Sequence, residues 1–330
     1  MIQLFCDLII YIGFFLDDCT RILFVADPQI LGEEYDERKF ISRLANYDND
    51  KHMERTYKQA VSHTNPHVII FLGDLLDEGS IANDEKFQRY LKRFKETFPK
   101  PVNTEIIYIP GDNDIGGEAT DNVKPSKIKR FKQYFDNKDK WKLKNKLNIY
   151  HINRITHEMP LLDENELQET EENSGFFRIL ISHFSILLVP GKFSYKSIER
   201  FKPHVMFSGH NHRSSQITSE IVRLRFSNSL FLSNPMTYDL RSIGSNQEVL
   251  ELQVPSCSYR MGEAKFIGYG YGVFENGFLF YSVLWIPNRF TQLKFYFVFL
   301  VALVILNIVL SKIPRRLLRS FGIYQNLLPI

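Results

Sequence analysis

Residues 106–118 read IIYIPGDNDIGGE, a short apolar run followed by a glycine, three acidic or amide side chains and two further glycines. The β-branched and aromatic run predicts a buried strand, and the Gly-Asp step after it is typical of a turn. Ligand sites in open α/β sheets lie outside the carboxyl ends of the strands. This stretch therefore predicts a sheet protein with a polar site at a strand end.

Four more apolar runs along the chain end in the same way. They are residues 21–26 (RILFVA), 68–72 (VIIFL), 177–182 (FRILIS) and 205–208 (VMFS). The polar residues that follow them are Asp27-Pro28-Gln29, Gly73-Asp74, His183 and Gly209-His210-Asn211-His212, respectively. Helix-like segments at residues 52–63, 83–98 and 126–135 alternate with these strands, which predicts an α/β fold. Carboxylates and imidazoles from five strand ends would then converge on one site.

This ordered set resembles the calcineurin-like metallophosphoesterase superfamily, whose pattern is D-x-H, G-D, G-N-H-[DE], H and G-H-x-H. The resemblance covers about residues 21–212. It implies an α/β/β/α sandwich of two mixed sheets and a hydrolase that acts on phosphoric ester bonds. It also implies two divalent metal ions. Oxygen and nitrogen ligands without thiolate suit Mn²⁺, Fe or Zn²⁺ better than Ca²⁺, and the resemblance favours Mn²⁺.

The superfamily pattern assigns a role to each polar residue at the strand ends. Asp74 would bridge the two metal ions. The first ion would take Asp27, Gln29 and His212, and the second would take Asp112, His183 and His210. The candidate catalytic residues are Asp74, Asn113 and Asp114.

Three of these positions depart from the superfamily pattern. Gln29 stands where the pattern has a His, and its amide oxygen is a weaker ligand than imidazole. Asp112 replaces a neutral Asn and adds a full negative charge, which would favour metal retention. Asn113 replaces a His and cannot act as a general acid at neutral pH. Three alternatives follow: metal and water carry the proton, another residue such as Asp114 carries it, or catalysis is weak.

Four segments narrow the resemblance to the branch that remodels GPI anchors, the post-GPI-attachment phosphodiesterase of animals and its fungal relatives. They are residues 22–33 (ILFVADPQILGE), 73–79 (GDLLDEG), 110–118 (PGDNDIGGE) and 254–260 (VPSCSYR). This resemblance implies removal of an ethanolamine-phosphate branch from the second mannose of GPI anchors, in support of ER-to-Golgi transport. The implied partners are the GPI glycan or GPI-anchored proteins, the lipid bilayer and the cargo-transport machinery.

Two other functions stay open at this point. One is a phosphoprotein or nucleotide phosphoesterase of the same fold. The other is a non-catalytic membrane factor that binds GPI-anchored cargo, which the departures at Gln29 and Asn113 would suit. The near-balance of 41 basic and 38 acidic residues, for a net charge of +3, argues against a nucleic-acid partner.

The C-terminal region predicts a transmembrane helix over residues 293–313. Residues 295–310 read FYFVFLVALVILNIVL, which is apolar on all sides except at Asn307. A buried core helix is the alternative interpretation. The basic residues after it predict a cytosolic tail over residues 314–330 by the positive-inside rule. A catalytic domain over residues 21–290 would then face the lumen of the ER, the ER-Golgi intermediate compartment or the Golgi.

The N-terminal residues 1–20 form a hydrophobic segment whose role the sequence leaves open. Residues 2–16 are apolar apart from Gln3 and Asp7, Asp17 and Asp18 follow them, and the segment lacks the basic residues that begin a signal peptide. A signal anchor, a truncated start and a first core element are all compatible with it. Cys257 is expected to be a small buried apolar residue, and three cysteines cannot build a disulfide framework.

Overall fold

The computed structural model describes residues 19–33, 39–135, 138–144, 147–166, 176–220, 228–245, 248–261 and 266–312. The chain divides into two compact units, Met1–Pro287 and Asn288–Ile330. The described strands all belong to the first unit. The second unit contains one long helix within its described residues.

The secondary-structure elements are numbered in chain order. The strands are β1 (Thr20–Val25), β2 (Val68–Phe71), β3 (Glu105–Tyr108), β4 (Lys140–Leu143), β5 (Leu147–His151), β6 (Phe177–Ser182), β7 (Val205–Ser208), β8 (Ser215–Glu220), β9 (Asn228–Phe231), β10 (Met236–Asp239), β11 (Glu248–Gln253), β12 (Gly268–Glu275) and β13 (Phe278–Trp285). The helices are α1 (Lys39–Thr64), α2 (Asp84–Thr97), α3 (Asp112–Ile115), α4 (Pro125–Tyr134), α5 (Lys192–Phe201), α6 (Leu240–Ser245) and α7 (Arg289–Lys312).

The strands form two mixed sheets. The first has the order β10-β13-β12-β1-β2-β3 and the second has the order β4-β5-β6-β7-β11-β8-β9. In the first sheet β1, β2 and β3 are parallel, and β12, β13 and β10 continue it antiparallel. In the second sheet β5, β6, β7 and β11 are parallel, with antiparallel strands at both edges.

The core of the unit lies between the two sheets. Phe24 of β1 stacks on Phe207 of β7 with ring centroids 4.0 Å apart, and both side chains are fully buried. The outer face of the first sheet carries α1, α2 and α4, whose Tyr57, Phe94 and Phe131 belong to one apolar cluster with that sheet. On the second sheet, α5 packs in the same way. The layers run helix, sheet, sheet, helix, which confirms the expected α/β/β/α sandwich.

The five strands predicted from the sequence are β1, β2, β3, β6 and β7, each within one residue of its predicted ends. The residues of β2 are buried throughout, because one face meets the other sheet and the other face meets helices. Asn83, predicted as the first residue of α2, is its N-cap: its side chain accepts the Lys86 backbone N–H at 2.9 Å. The helix predicted from residue 52 begins earlier, at Lys39.

The second unit contains α7, which is long and apolar enough to cross a bilayer over residues 289–311. None of the residues in this span is buried, so the alternative of a buried core helix is wrong for the described residues. The Asn307 side chain donates to the Leu303 carbonyl at 2.9 Å, which satisfies one of its N–H groups within the helix itself.

Three expectations fall largely outside the described residues. Only Cys19 and Thr20 of the N-terminal segment 1–20 are described, and the tail 314–330 lies wholly outside. The acidic composition of residues 162–174 predicts a solvent-exposed loop or helix face, and this stretch is described as far as Glu166. At Glu166 this expectation is wrong, because the side chain is buried and forms an ion pair with Lys140 at 2.8 Å.

Candidate metal centre

The predicted ligands follow the strand ends of both sheets and meet at one place. Asp27 follows β1 and Asp74 follows β2 in the first sheet, whereas His183 follows β6 in the second. The backbone N–H of His210, just after β7, donates to both carboxylate oxygens of Asp27 at 3.1 and 3.0 Å. This pair of hydrogen bonds joins the ends of the two sheets directly.

The donor atoms form two groups that share one carboxylate. Asp74, Asp112, His183 and His210 each offer a ligand atom within 4.8 Å of the others, and so do Asp27, Asp74 and His212. Asp74 is the member common to both. The structure therefore brings together the Asp and His side chains assigned to each metal ion, with Asp74 between them.

Several ligand positions hold an unfavourable backbone conformation. The φ angles of Asp27, Gln29, Asp74, His210 and His212 lie between 41° and 64°, in the left-handed region. Non-glycine residues adopt this region rarely, at a cost of about 1–3 kcal/mol each, and such residues cluster at functional sites. The surrounding hydrogen bonds hold these side chains in place against that cost.

Two glycines make the close packing of the site possible. A Cβ atom on Gly111 would lie 2.1 Å from Oδ1 of Asp74. At Gly73, whose φ is 92°, a Cβ atom would lie 2.5 Å from Nδ1 of His183. Any larger residue at either position would displace a ligand, because neither a carboxylate nor a ring in this buried site has room to move.

His183 is fixed in one orientation by the backbone. Its Nδ1 lies 2.8 Å from the Leu72 carbonyl, and since a carbonyl only accepts hydrogen bonds, Nδ1 carries the proton. Nε2 then faces the carboxylates, 2.9 Å from Oδ1 of Asp112 and 3.4 Å from Oδ1 of Asp74. This arrangement, with one ring nitrogen on a carbonyl and the other facing ligand oxygens, is typical of metal-binding histidines.

The site holds an excess of buried negative charge, which a bound cation would neutralise. Asp27, Asp74 and Asp112 are at most 3% exposed. Burial, and then repulsion from the neighbouring carboxylates, raises the pKa of both Asp27 and Asp74, despite the attraction of His183. Burial lowers the pKa of His183, but the carboxylates of Asp74, Asp112 and Asp27 outweigh it and raise the value to about 10. A proton on His183 thus partly balances charge that a cation would balance better.

Gln29 is placed to contribute an oxygen. Its side-chain N–H donates to Oδ2 of Asp74 at 2.8 Å, and the residue is 4% exposed. Its amide oxygen is buried and has no hydrogen-bond partner among the described residues. An unpaired buried acceptor is costly, and a cation in the group of Asp27, Asp74 and His212 would satisfy it.

Asn113 and Asp114 face different partners. The Asn113 side chain donates to Oδ2 of Asp74 at 2.9 Å, and its backbone N–H donates to Oδ1 at 3.0 Å. The Asp114 carboxylate accepts three backbone N–H groups, those of Leu75, Leu76 and Gly111, at 2.9–3.1 Å. Asp114 therefore ties together the loops after β2 and β3, while Asn113 contacts the ligand that both groups share.

Two carboxylates near the site were not among the sequence predictions. A hydrogen bond with Asp112 raises the pKa of Glu118, the last residue of the PGDNDIGGE segment, so this side chain lies at the edge of the site. Glu251 of β11 is fully buried and accepts from the Ser185 hydroxyl at 3.0 Å and the Ser208 hydroxyl at 2.5 Å. The quoted motif contained Glu118, but the alternating polar and apolar residues of β11 (EVLELQ) gave no signal that Glu251 is buried near the site.

The late segment 254–260 supports the site by packing. The Ser256 hydroxyl donates to the Asp27 carbonyl at 2.8 Å, and Cys257 is fully buried, as expected. Tyr259 is 4% exposed and donates its hydroxyl to Asp48 at 2.8 Å. These contacts place the segment behind the Asp27 loop.

The donor set fits divalent cations. Three carboxylates, three imidazoles and one unpaired amide oxygen converge without a thiolate, in two groups joined by Asp74. This composition suits Mn²⁺, Fe or Zn²⁺. The arrangement also provides an excess of buried negative charge that two divalent cations would neutralise.

Comparison with known proteins identifies related chains. The family model described as calcineurin-like phosphoesterase matches residues 20–214, more than half of the chain. A relative from Drosophila melanogaster, "Metallophosphoesterase 1 homolog", is 30% identical over 43% of this chain and 34% of its own. "Metallophosphoesterase 1" of Danio rerio is 30% identical over 35% of this chain and 29% of its own.

A third relative is "Cell division control protein 1" of Saccharomyces cerevisiae. It is 25% identical over 73% of this chain and 53% of its own. The matched part of this chain thus corresponds to about a third to a half of the length of these curated relatives.

Proposed function

Because the chain belongs to the calcineurin-like phosphoesterase family, we propose that it is a metal-dependent phosphodiesterase that removes an ethanolamine-phosphate branch from the second mannose of GPI anchors. The main observation in support of phosphodiester hydrolysis is the pair of donor groups that share Asp74. A single bridging carboxylate between two sets of ligands suits two cations held side by side.

The metals and the chain would divide the chemistry between them. Two bound divalent cations would activate water and stabilise negative charge on the phosphoryl oxygens, and we propose Mn²⁺ in this role. Asp74 would be shared by both ions, and the Leu72 carbonyl would hold the His183 ring in its ligating orientation. Asn113 would donate a hydrogen bond, but it could not act as a general acid at neutral pH. With Asp114 occupied by three backbone N–H groups, the leaving group would take its proton from water.

The GPI-anchor substrate is supported by the sequence segments and by the membrane helix. The segments 22–33, 73–79, 110–118 and 254–260 resemble the GPI-remodelling branch, and two of the relatives carry the name Metallophosphoesterase 1. A membrane-anchored enzyme would meet a lipid-anchored substrate at the same bilayer. The proposed location is the early secretory pathway, with the metal centre in the lumen and GPI-anchored cargo and its transport machinery as partners.

Metal analysis of the full chain tests the two-metal site. We expect two Mn²⁺ per chain in the wild type, hydrolysis of bis(p-nitrophenyl) phosphate, and loss of both in Asp74→Ala. Glu85→Gln is the control, because it removes a carboxylate whose side chain is 82% exposed on α2. A wild-type chain that takes up no divalent metal under any loading condition would contradict the proposal and favour a non-catalytic cargo factor.

Mass spectrometry of GPI glycans tests the substrate. Cells that lack the protein should accumulate glycans that keep ethanolamine phosphate on the second mannose, and the wild-type chain, but not Asp74→Ala, should restore its removal. If the generic diester is hydrolysed but these glycans are unchanged, the chain is a phosphoesterase for another substrate, such as a phosphoprotein or a nucleotide.

A further inference from the structure

A cavity of about 800 Å³ opens beside the metal centre at His212. It is bounded by residues that follow His212 in the chain, by the end of β11 and by Phe231 and Phe266. Its volume falls within the range of about 300–1,000 Å³ typical of small-molecule sites. Since His212 lies both in the second donor group and in the cavity wall, a molecule bound at the metal centre would extend into this space.

Gln253 supplies an unpaired donor in the cavity wall. The residue is 3% exposed, and its side-chain nitrogen is buried without a hydrogen-bond partner among the described residues. The Ser215 hydroxyl donates to its amide oxygen at 2.5 Å, and Ser215 lies directly opposite on the neighbouring strand β8. With its oxygen occupied by Ser215, the amide keeps its NH₂ group for a ligand. An unsatisfied buried donor in a native site calls for an explanation, and a ligand acceptor provides one.

Three aromatic rings form the apolar side of this region. Phe231 and Phe266 line the cavity and meet edge to face, with centroids 5.0 Å apart. Trp285 packs behind both at 6.1 Å, and its indole N–H donates to the Ser233 carbonyl at 3.3 Å. Phe231 is 51% exposed and Phe266 is 38% exposed. Phe231 and Phe266 thus present an apolar surface to the cavity, and their contacts with Trp285 hold both rings in place.

The lining favours a neutral polyhydroxyl ring over a cation. None of the described residues that line the cavity is acidic, and Arg213 is among them. An ammonium group would therefore find no counter-charge there. A pyranose ring has an apolar C–H face, which suits an aromatic surface, and a rim of hydroxyls, which suits an amide donor.

We infer that this cavity is the subsite for a sugar ring of the phosphodiester substrate, with Gln253 donating to a hydroxyl and Phe231 and Phe266 packing on the ring face. The inference rests on the proposed function, since it places the sugar next to the phosphoester held at the metal centre. It assigns the ethanolamine end of the substrate to the opposite side of the site.

Tryptophan fluorescence gives a binding test that does not depend on catalysis. The chain has two tryptophans, Trp141 and Trp285, so Trp141→Phe leaves the indole behind the cavity as the single tryptophan reporter. In the full chain with this substitution, titration with α-linked mannobiose should change the fluorescence saturably, both with Mn²⁺ and after its removal by EDTA. Absence of a saturable change in both states would overturn the inference.

Variants locate the binding to the cavity. Gln253→Met removes the donor and should weaken mannobiose binding about fivefold, the effect of one neutral hydrogen bond. Phe231→Leu should weaken it about threefold to tenfold through loss of ring contact. The matched controls are Gln216→Met on β8, whose residue accepts a hydrogen bond from Tyr238 of β10 in the other sheet, and Tyr195→Leu on α5. Both should bind as the parent does. Equal binding by all four variants would also overturn the inference.

The outcomes separate this inference from the proposed function. A chain that binds mannobiose through Gln253 but hydrolyses no phosphodiester keeps the subsite and loses the activity. A chain that hydrolyses bis(p-nitrophenyl) phosphate without any mannobiose response keeps the activity and loses the subsite.

Discussion

Asp112 is the residue whose charge matters most for metal retention. Its Oδ1 lies 2.9 Å from Nε2 of His183 and 3.3 Å from Nδ1 of His210, between the two imidazoles of its group. Burial raises its pKa, but the hydrogen bonds from His183 and His210 outweigh burial and lower it. Asp112 is therefore ionised at neutral pH and supplies the third carboxylate of the site.

Replacement of Asp112 by Asn should lower Mn²⁺ affinity by at least about tenfold, the loss that even an outer-shell partner of a metal ligand typically causes. The amide keeps the shape of the side chain but removes one negative charge, so the two cations are less fully balanced. Isothermal titration of the metal-free chain with Mn²⁺ measures the effect, with Glu85→Gln as the exposed-carboxylate control. Superimposable titrations of Asp112→Asn and wild type would remove the charge argument.

His204 links stability to pH at a site away from the metal centre. It precedes β7, is 4% exposed, and its Nδ1 accepts the Arg178 backbone N–H at 3.0 Å. Burial, and then the positive charge of Arg178, lowers the pKa of His204 to about 4. The unfolded chain takes up a proton near pH 6.5, whereas the folded chain does so only near pH 4. Stability from this group is therefore complete above about pH 6.5 and is lost as the pH falls towards 4.

His204→Asn should flatten this pH dependence, because the Asn side-chain oxygen can accept the same N–H and does not titrate. Between pH 7 and pH 4 the wild type should lose about 2–3 kcal/mol more unfolding free energy than the variant. Thermal unfolding across this range measures the difference, with the exposed His63→Asn as a control. Parallel stability curves for wild type and His204→Asn would contradict it.

The sequence could predict the ligands but not the residues that hold or extend the site. Asp27, Asp74 and His183 each follow an apolar strand directly, so their convergence follows from the rule that parallel strands end at one edge. Glu251 and Gln253 belong to β11 itself rather than to a loop after a strand, and what they face depends on which strands become its neighbours. The pairing of β11 with β7 and β8 decides that, and it joins residues distant in the sequence.

At the scale of elements, β11 anchors both loops that carry the histidines. Its Glu251 accepts from the Ile186 and Leu187 backbone N–H groups in the loop after His183, the shorter contact being 2.7 Å. It also accepts from the Ser208 hydroxyl at 2.5 Å, two residues before His210. One buried carboxylate therefore fixes loops from two different strands. Burial raises the pKa of Glu251, and these hydrogen bonds oppose that rise.

Glu251→Gln should lower the unfolding free energy by about 1–3 kcal/mol, because its amide NH₂ replaces an oxygen that faces hydrogen-bond donors. It should also weaken Mn²⁺ binding, since His183 and His210 lose their fixed loops. Glu248→Gln is the matched control on the same strand, as that residue is exposed. Urea unfolding and Mn²⁺ titration measure the two effects. If both variants match the wild type, β11 has no anchoring role.

Among the strands, the sequence predicted the buried central ones better than the edge ones. β6 and β7 match their predicted bounds, because every residue in them except Phe177 is buried and strands buried on both faces read as mainly apolar runs. The edge strands β4 and β9 gave no comparable signal. β4 reads KWKL, with one buried residue among four, so its strand state depends on pairing with β5 rather than on its own composition.

At the scale of the whole molecule, the net charge of +3 averages two different regions. Three buried carboxylates concentrate negative charge at the metal centre, whereas Lys312, Arg315, Arg316 and Arg319 follow the apolar span within eight residues of sequence. The charge balance therefore says little about a phosphate substrate, because cations bound at the centre would supply the positive charge that phosphate needs. The same basic cluster is the basis for the proposed cytosolic location of the C-terminal tail, because cytosolic flanks of membrane helices are enriched in Lys and Arg.

The proposed orientation predicts which part of the chain can be N-glycosylated. Residues 1–330 contain no Asn-x-Ser/Thr acceptor. Lys124→Thr creates one at Asn122, in an exposed loop, and places Thr at the N-cap of α4, where Lys124 makes no side-chain cap. Leu328→Thr creates a second at Asn326, beyond the apolar span. In secretory-pathway membranes, we expect an endoglycosidase-sensitive mobility shift for Lys124→Thr and none for Leu328→Thr. The reverse result would place the metal centre in the cytosol and exclude action on a lumenal GPI glycan.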